Sequence, residues 1–495
     1  MAAEVPRQTA LSRRSAFRVA AALGLGIAGG SALAACTDPS ASNQSPAQQF
    51  LARDKFFIAH RGAGDEAPEH TLAAYSRIID RGAEAISIVV HRTRDGILVC
   101  HQDPTLLKTS DQNITIADVT YDELSKSHID LTRWVGPNWG LQPIPLFSEV
   151  LDRLGKRAVL FVESKNPEAT IDVIDAVTSK QLGDATVFTQ PFAAREGEAA
   201  ARAAGLSIWT YLHAGVTEVE IAEAADRSDA IGMSAAVGAP TELHKSLIQS
   251  AVATGKPVIA WPVSRRSQLR YLSKAGVQGF MCSSWSYLAL PAEPSPHDTF
   301  VTGRIAPGDL TGSISSSTAP EWGPDGSILL ADSTVPQSLS MGSMCPVPAA
   351  PYVITVEAQF GAAPPLSSDH LAVVIGRDDD SMYRLGKVAP GTGQGQLAIL
   401  RSTGTVELRS IPEDNGFSTL QSAAIGEASA VGQWQTLRIT VNTNSVTVEH
   451  NPGQGAESTS VTAPRTAAGD YFTVARNYSG TDAQASFRNI RVTYS

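Results

Sequence analysis

His60, Arg61 and Gly62 close the apolar run Phe56-Phe57-Ile58-Ala59, and Glu69 follows eight positions after Arg61. An imidazole and a guanidinium side by side at the carboxyl end of a strand suit a phosphate. The guanidinium holds two oxygens in a planar fork while the imidazole moves a proton. A carboxylate at Glu69 can orient either group. A second pair of opposite charges stands in Phe161-Val162-Glu163-Ser164-Lys165. Glu163 and Lys165 are two apart on a strand-like run, so both side chains leave the same face and can pair when no metal is present.

These residues need a frame that brings distant strand ends together. Between Phe56 and about Leu290, short apolar runs alternate with helical patterns. The runs are 56–60, 85–90, 97–101, 158–163, 186–190, 206–211, 229–233, 257–263 and 278–283, with amphipathic stretches such as Leu72–Arg81, Phe147–Leu154 and Arg266–Ala275 between them. Such alternation predicts an α/β fold, a TIM-type (β/α)8 barrel. Nine runs are one too many for it. The pair 85–90 and 97–101 is joined only through the turn Arg94-Asp95-Gly96, so one of these two is expected to be irregular. From Pro291 onwards Pro, Ser, Gly and Thr dominate, and alternating strands such as Tyr352–Phe360 and Ser445–His450 follow. That pattern predicts an all-β sandwich, and Gly432-Gln433-Trp434-Gln435-Thr436-Leu437 with Phe487-Arg488-Asn489-Ile490-Arg491-Val492 resembles a concanavalin- or laminin-G-like jelly roll.

At 495 residues with 43% apolar and 18% charged residues, the chain reads as well-cored domains rather than a disordered or fibrous protein. A net charge of −10 without a Lys/Arg stripe excludes nucleic acid as a partner class. Arg13-Arg14 precedes an uncharged Ala/Gly-rich stretch that ends in Leu33-Ala34-Ala35-Cys36. This resembles a Tat-like signal closing in a bacterial lipobox, with Phe17 one position late for the usual twin-arginine pattern. The reading is a signal peptide over 1–35, lipidation at Cys36 and a flexible tether over 36–54. The protein is then expected to be exported and held by its lipid anchor at the outer face of the bacterial cytoplasmic membrane. Cys100, Cys282 and Cys345 fit no zinc spacing and read as buried thiols, with a Cys100–Cys282 disulfide as the alternative.

The region from 55 to 290 resembles the glycerophosphodiester phosphodiesterase family. The resemblance rests on His60-Arg61-Gly62, Pro68-Glu69-His70-Thr71-Leu72, Thr93-Arg94-Asp95-Gly96, Ile144-Pro145-Leu146-Phe147-Ser148-Glu149, Phe161-Val162-Glu163-Ser164-Lys165, Gly255-Lys256-Pro257 and Trp261, in that order. It implies a Ca2+ or Mg2+ ion at the barrel mouth, held by a Glu-x-Asp pair on the second strand and by the Glu of a Glu-x-Lys strand. It also implies two histidines as general acid and base. His60 matches the first histidine, Arg61 the phosphate-binding arginine, Glu69 the acid of the Pro-Glu motif, and Glu163 with Lys165 the Glu-x-Lys pair. Trp261 has its counterpart near the site. The Glu-x-Asp positions fall on Ser87 and Val89, and the second histidine falls on Gln102. His101 is adjacent to Gln102 but points to the opposite strand face, and His91 is a substitute ligand by position only.

The expectation is therefore an impaired phosphoric diester hydrolase. It would be a weak or non-catalytic binder of a phosphorylated small molecule or glycerophosphodiester, with Arg61 and Lys165 on phosphate and no resident cofactor. The alternatives are an active metal-dependent phosphodiesterase with rearranged ligands, and a structural lipoprotein that binds cell-envelope glycan. The domain reading is 55–290 barrel, 291–302 linker and 303–495 concanavalin- or laminin-G-like sandwich, with glycan as the sandwich's partner. Trp434 is read as a core residue.

Overall fold

The computed structural model describes residues 44–290 except 137–138, 214 and 236–240, together with the parts of 321–494 that carry the strands given below. The signal segment, Cys36, the linker 291–302 and Cys345 lie outside the described residues.

Eight parallel strands close on themselves: β1 (Phe56–Ala59), β2 (Ala85–Arg92), β4 (Val159–Ser164), β5 (Thr186–Pro191), β6 (Ser207–Leu212), β7 (Ala230–Ser234), β8 (Val258–Val263) and β9 (Gly279–Cys282). The ring closes where Ala59 of β1 pairs with Ile86 of β2. The ninth apolar run is β3 (Leu98–Cys100), which pairs antiparallel with β2 through Val90 and Cys100. It is the second arm of a hairpin on the outside of the ring, so the surplus run was a real strand of another kind.

Alternation along each strand sorts side chains between two cores. Phe56, Ile58, Ala85, Val159, Phe161, Val187, Trp209, Tyr211, Ile259 and Met281 fill the barrel interior. Ile86, Ile88, Val90, Leu160, Val162 and Phe280 face outward and bury against helices such as Leu72–Asp80 and Phe147–Leu154. Ser87, Val89 and Glu163 share the inward parity and stand one layer above the apolar plug, at the carboxyl ends of their strands. Val89 pairs in register with Glu163.

The expected tether differs in part. Pro46–Leu51 is a helix, started by Ser45, whose hydroxyl accepts from Gln48 N while the Gln48 side chain accepts from Ser45 N. Phe50 of this helix meets the Phe56 and Phe161 rings at 4.9 and 6.2 Å and closes the amino end of the barrel. The apolar contact explains the order: three of its six residues, Ala47, Phe50 and Leu51, are buried. Cys100 and Cys282 are free buried thiols, each with its ionisation pushed up by burial.

The C-terminal region is two antiparallel sheets over a shared core. One runs 321–322, 328–330, 485–494, 352–360, 435–441, 445–450 and 459–464, and the other 339–340, 471–477, 370–377, 395–401, 405–411 and 418–424. Ile354, Val356 and Ile439 of the first meet Leu371, Val373 and Leu408 of the second. Strands 418–424 and 459–464 escaped the sequence reading. Both are short in apolar residues and one is almost wholly exposed. Trp434 is half-buried, with the Arg488 guanidinium 4.0 Å from its ring.

Candidate functional site

The loop after β1 turns at once. Arg61, Ala63 and His70 take left-handed backbone angles (φ 57°, 66° and 57°), a costly choice for residues with a Cβ. Three such residues within ten positions mark a segment whose shape the surroundings impose. Gly62, at φ 78°, is required here, since a Cβ would meet Tyr75 Cδ1 at 3.0 Å.

This turn assembles a charged chain at the mouth. Arg61 Nη1 donates to Glu69 Oε2 at 2.9 Å, and Lys108 Nζ donates to Glu69 Oε1 at 3.3 Å. Burial pushes the Glu69 carboxyl up, but Arg61 and Lys108 outweigh it and hold it well below the usual carboxylate range. Arg61 Nε is buried without a hydrogen-bond partner, so the guanidinium is not saturated by Glu69. His60 Nδ1 lies 2.8 Å from Ser283 Oγ at the end of β9. Burial and then the neighbouring Arg61 charge press its ionisation well below the ordinary histidine value. The neutral ring is therefore oriented through Nδ1, which leaves Nε2 for the pocket.

The opposite side of the mouth differs. The Ser87 hydroxyl accepts from the Arg61 backbone N–H at 2.8 Å, and Val89 beside it is 6% exposed. Glu163 Oε1 accepts from Lys165 Nζ at 2.6 Å and from Tyr211 Oη at 2.7 Å. The expected Glu163–Lys165 ion pair is thus present, with Tyr211 as an added donor. Trp261 stacks edge-on to Tyr211 at 5.1 Å and to His213 at 5.6 Å, which makes it a wall of the same mouth.

The residues at the positions of the family's ligands do not fit its divalent ion. A hard cation needs six or so oxygens, several of them anionic. Val89 has none, the Ser87 hydroxyl serves Arg61, and the nearer Glu163 oxygen already accepts from an ammonium. The other carboxylates of the β1 loop are engaged elsewhere. Asp65 accepts from Ser284 Oγ at 2.9 Å, while Glu66 accepts from Ser286 N at 2.6 Å and Arg77 at 3.4 Å. Among the described residues no group of three or more His, Cys, Asp or Glu is placed to hold a metal.

The spare histidines are also placed. His101 is turned away from the mouth, with Nδ1 at 2.7 Å from Asp103 O and Nε2 at 2.9 Å from Thr109 Oγ1. No bulge re-aims it, so it does not replace the second histidine. His91 Nε2 lies 3.3 Å from Gln102 O, and its ionisation is pushed down to about 4 by burial. Gln102 occupies the expected position, and its Oε1 is 3.2 Å from Nε2 of His70. His70, Lys108, Tyr211 and Ser283 were not picked out from sequence. Only His70 carried a signal, as a histidine inside the motif directly after Glu69.

Residues 60–283 match the profile of the glycerophosphoryl diester phosphodiesterase family. A glycerophosphodiester phosphodiesterase of Caldanaerobacter subterraneus subsp. tengcongensis is 26% identical over 230 residues, which cover 45% of this chain and 92% of that protein. One from Bacillus subtilis is 31% identical over 119 residues, 22% of this chain and 40% of that protein. The chain thus spans about half or less of the length of the first Bacillus subtilis relatives, 49% and 40%. Among solved structures, an Oleispira antarctica phosphodiesterase in complex with the product sn-glycerol-3-phosphate matches 49% of this chain and 97% of its own, at 20% identity and a TM-score of 0.42. The barrel region of this chain, residues 60–283, is thus similar to the glycerophosphoryl diester phosphodiesterase family.

Proposed function

We propose that the barrel binds a phosphorylated small molecule through Arg61 and His60 and turns it over weakly or not at all. The observation that carries this reading is the asymmetry of the mouth. Arg61, fixed by Glu69 and by Ser87, retains unspent donor capacity, while the metal side offers Val89 and a carboxylate already paired with Lys165. An arginine held in this way is a ready fork for phosphate oxygens.

His60 can take or give one proton at Nε2. The partner position is the amide of Gln102, which cannot carry a proton in the opposite step. Losing one general acid or base costs about 10²–10⁴ in rate, roughly 3–5 kcal/mol of barrier. Lys165, a phosphate ligand in the initial reading, is occupied by Glu163 and contributes only if that pair opens.

The relatives' names, glycerophosphodiester phosphodiesterases, support a glycerophosphodiester or its phosphate product as the ligand class. The same proposal includes anchoring at Cys36 on the outer face of the cytoplasmic membrane, resting on Leu33-Ala34-Ala35-Cys36. It also reads the C-terminal sandwich as a jelly roll for cell-envelope glycan, on architecture alone.

Calorimetry with glycerol 3-phosphate tests the reading, run beside a diesterase assay with glycerophosphocholine. Binding that Arg61→Ala weakens about ten-fold, without hydrolysis, is the expected result, since a hydrogen bond to a charged group contributes about 1.5–3 kcal/mol. Hydrolysis by the wild-type chain that a chelator abolishes overturns it in favour of the metal-dependent enzyme.

A further inference from the structure

We propose that Gln102 is a ligand-binding side chain, a neutral amide donor aimed at a phosphate oxygen, and that His70 is the residue that positions it. The inference rests on the anion-pocket reading above and deepens it. By its place in the chain, Gln102 looks like a histidine simply lost. Its surroundings show a held group instead.

His70 and Tyr75 are fully buried, 0% exposed. Tyr75 Oη is 2.7 Å from His70 Nδ1, and His70 Nε2 is 3.2 Å from Gln102 Oε1. At the backbone, the Gln102 carbonyl oxygen is 3.3 Å from His91 Nε2. One histidine therefore fixes the side chain and another the main chain.

A neutral imidazole has one donor and one acceptor. With the proton on Nε2, His70 donates to Gln102 Oε1 and accepts at Nδ1 from the Tyr75 hydroxyl, whose competing acceptor, Ser87 O, is the more distant at 3.4 Å against 2.7 Å. The amide nitrogen of Gln102 then faces away from His70. It is not among the buried unpartnered atoms and has no protein partner among the described residues. Gln102 itself is half-buried, so this nitrogen, neither partnered nor fully buried, is left to solvent or a ligand. The opposite tautomer, with the amide turned over, would spend its N–H on His70 and show phosphate a carbonyl oxygen, which repels it. Burial pushes the ionisation of His70 down to about 3, so the ring keeps its single-donor form at neutral pH.

The rest of the anion site is joined to this chain: the His70 backbone N–H donates to Arg61 O at 3.0 Å, and His70 directly follows Glu69, which accepts from Arg61 and Lys108. A ligand oxygen between Arg61 and Gln102 meets two kinds of donor, one charged and one neutral. The chemical class favoured is a phosphate monoester or free phosphate, whose unesterified oxygens can accept from both. Gln102 holds such a ligand and takes no part in proton transfer.

The test compares glycerol 3-phosphate and inorganic phosphate binding by the full chain with binding by Gln102→Leu, His70→Phe, His70→Gln and Arg61→Ala. Nitrogen-15 spectra of labelled histidine report the His70 tautomer without added ligand. Gln102→Leu is expected to lose about ten-fold in affinity, since the acceptor is charged. His70→Phe should lose a similar factor and add little to Gln102→Leu in the double variant. His70→Gln, which keeps a donor, should recover part of the loss. A tautomer protonated at Nε2 is expected in the wild type.

Wild-type binding that Arg61→Ala weakens and Gln102→Leu leaves intact overturns this inference alone. A His70 ring protonated at Nδ1 overturns the positioning role. Absence of phosphate binding by the wild type removes the anion-pocket reading and this inference with it. Should His70→Phe fail to fold, the half-buried Gln102→Leu and the tautomer still decide.

Discussion

At the end of β1, Arg61, Glu69 and Lys108 alternate in charge, and Arg61 keeps an unpaired donor at Nε. Across the mouth, at the ends of β2 and β4, Glu163 and Lys165 neutralise each other beside Ser87 and Val89. Both sides belong to the carboxyl end of the same ring of strands, yet only the first keeps a guanidinium with an unpaired donor. Under the proposed function, an anion site and a cation site are separable on one scaffold. Substituting two inward positions removes the cation's ligands, and the vacated places take structural duties. Ser87 now satisfies the Arg61 backbone N–H, so the altered side supports the intact one.

The largest expected effect comes from making the two sides alike again. Ser87→Glu, Val89→Asp and Gln102→His together should create calcium-dependent hydrolysis of glycerophosphocholine where the wild type shows little. The gain should be at least the 10²–10⁴ that a general acid or base contributes. Calorimetry with Ca2+ and a diesterase assay check it. Two costs oppose the gain: Glu163 must release Lys165, and Arg61 N must find another acceptor. A triple variant that binds Ca2+ without hydrolysis would place the defect in proton transfer. One that binds no Ca2+ would break the account of the metal side.

Next in size is acid sensitivity, from a buried histidine on each side. His70 has its ionisation pushed down to about 3, and His91 to about 4, in both cases by burial. In the unfolded chain a histidine titrates near about 6.5. Between the two values the unfolded state binds more protons, so stability is fully present above about pH 6.5 and falls as pH drops toward the folded value. Each group contributes a slope of about 1.4 kcal/mol per pH unit. From about pH 7 to about pH 5 His70 alone should account for roughly 2 kcal/mol. Urea unfolding of wild type and His70→Asn at both pH values measures it. Equal losses in the two proteins would show that His70 is not held neutral.

Legibility in the sequence followed how local each signal was. Short continuous apolar runs predicted all eight ring strands, because each strand buries both faces. The hairpin strand Leu98–Cys100 was visible as a surplus run, and its turn Arg94-Asp95-Gly96 pointed to the exception. Strand-end chemistry was equally plain, since side-chain parity carries Ser87, Val89 and Glu163 to one face. Lys108, Ser283 and Tyr211 were hidden because they reach the mouth from elements far along the chain, as ordinary residue types. The helix Pro46–Leu51 had a local signal, Ser45-Pro46 with Gln48 three residues after the cap. A composition rich in Ser, Pro and Gln masked it. What decided its order was Phe50, whose burial against Phe56 and Phe161 depends on the closed barrel.

Two single substitutions rank the donors within the intact side. Arg61→Ala should weaken glycerol 3-phosphate binding about ten-fold. It also leaves Glu69, 9% exposed at its side chain, with Lys108 alone, so the folded state should become less stable. Lys108→Ala should do much less. Its side chain is 41% exposed, and its bond to Glu69 is the longer of the two at 3.3 Å. Half-exposed ion pairs contribute about 0.2–1 kcal/mol, so a two- to three-fold loss of affinity is the expected scale. The signature is salt dependence. Screening weakens an exposed cation more than a half-buried one, so the gap between wild type and Lys108→Ala should close as salt rises while the gap to Arg61→Ala persists. A Lys108 effect as deep as that of Arg61, and as resistant to salt, would mean that phosphate sits between the lysine and Glu69 rather than over the arginine fork. The two cations would then exchange roles.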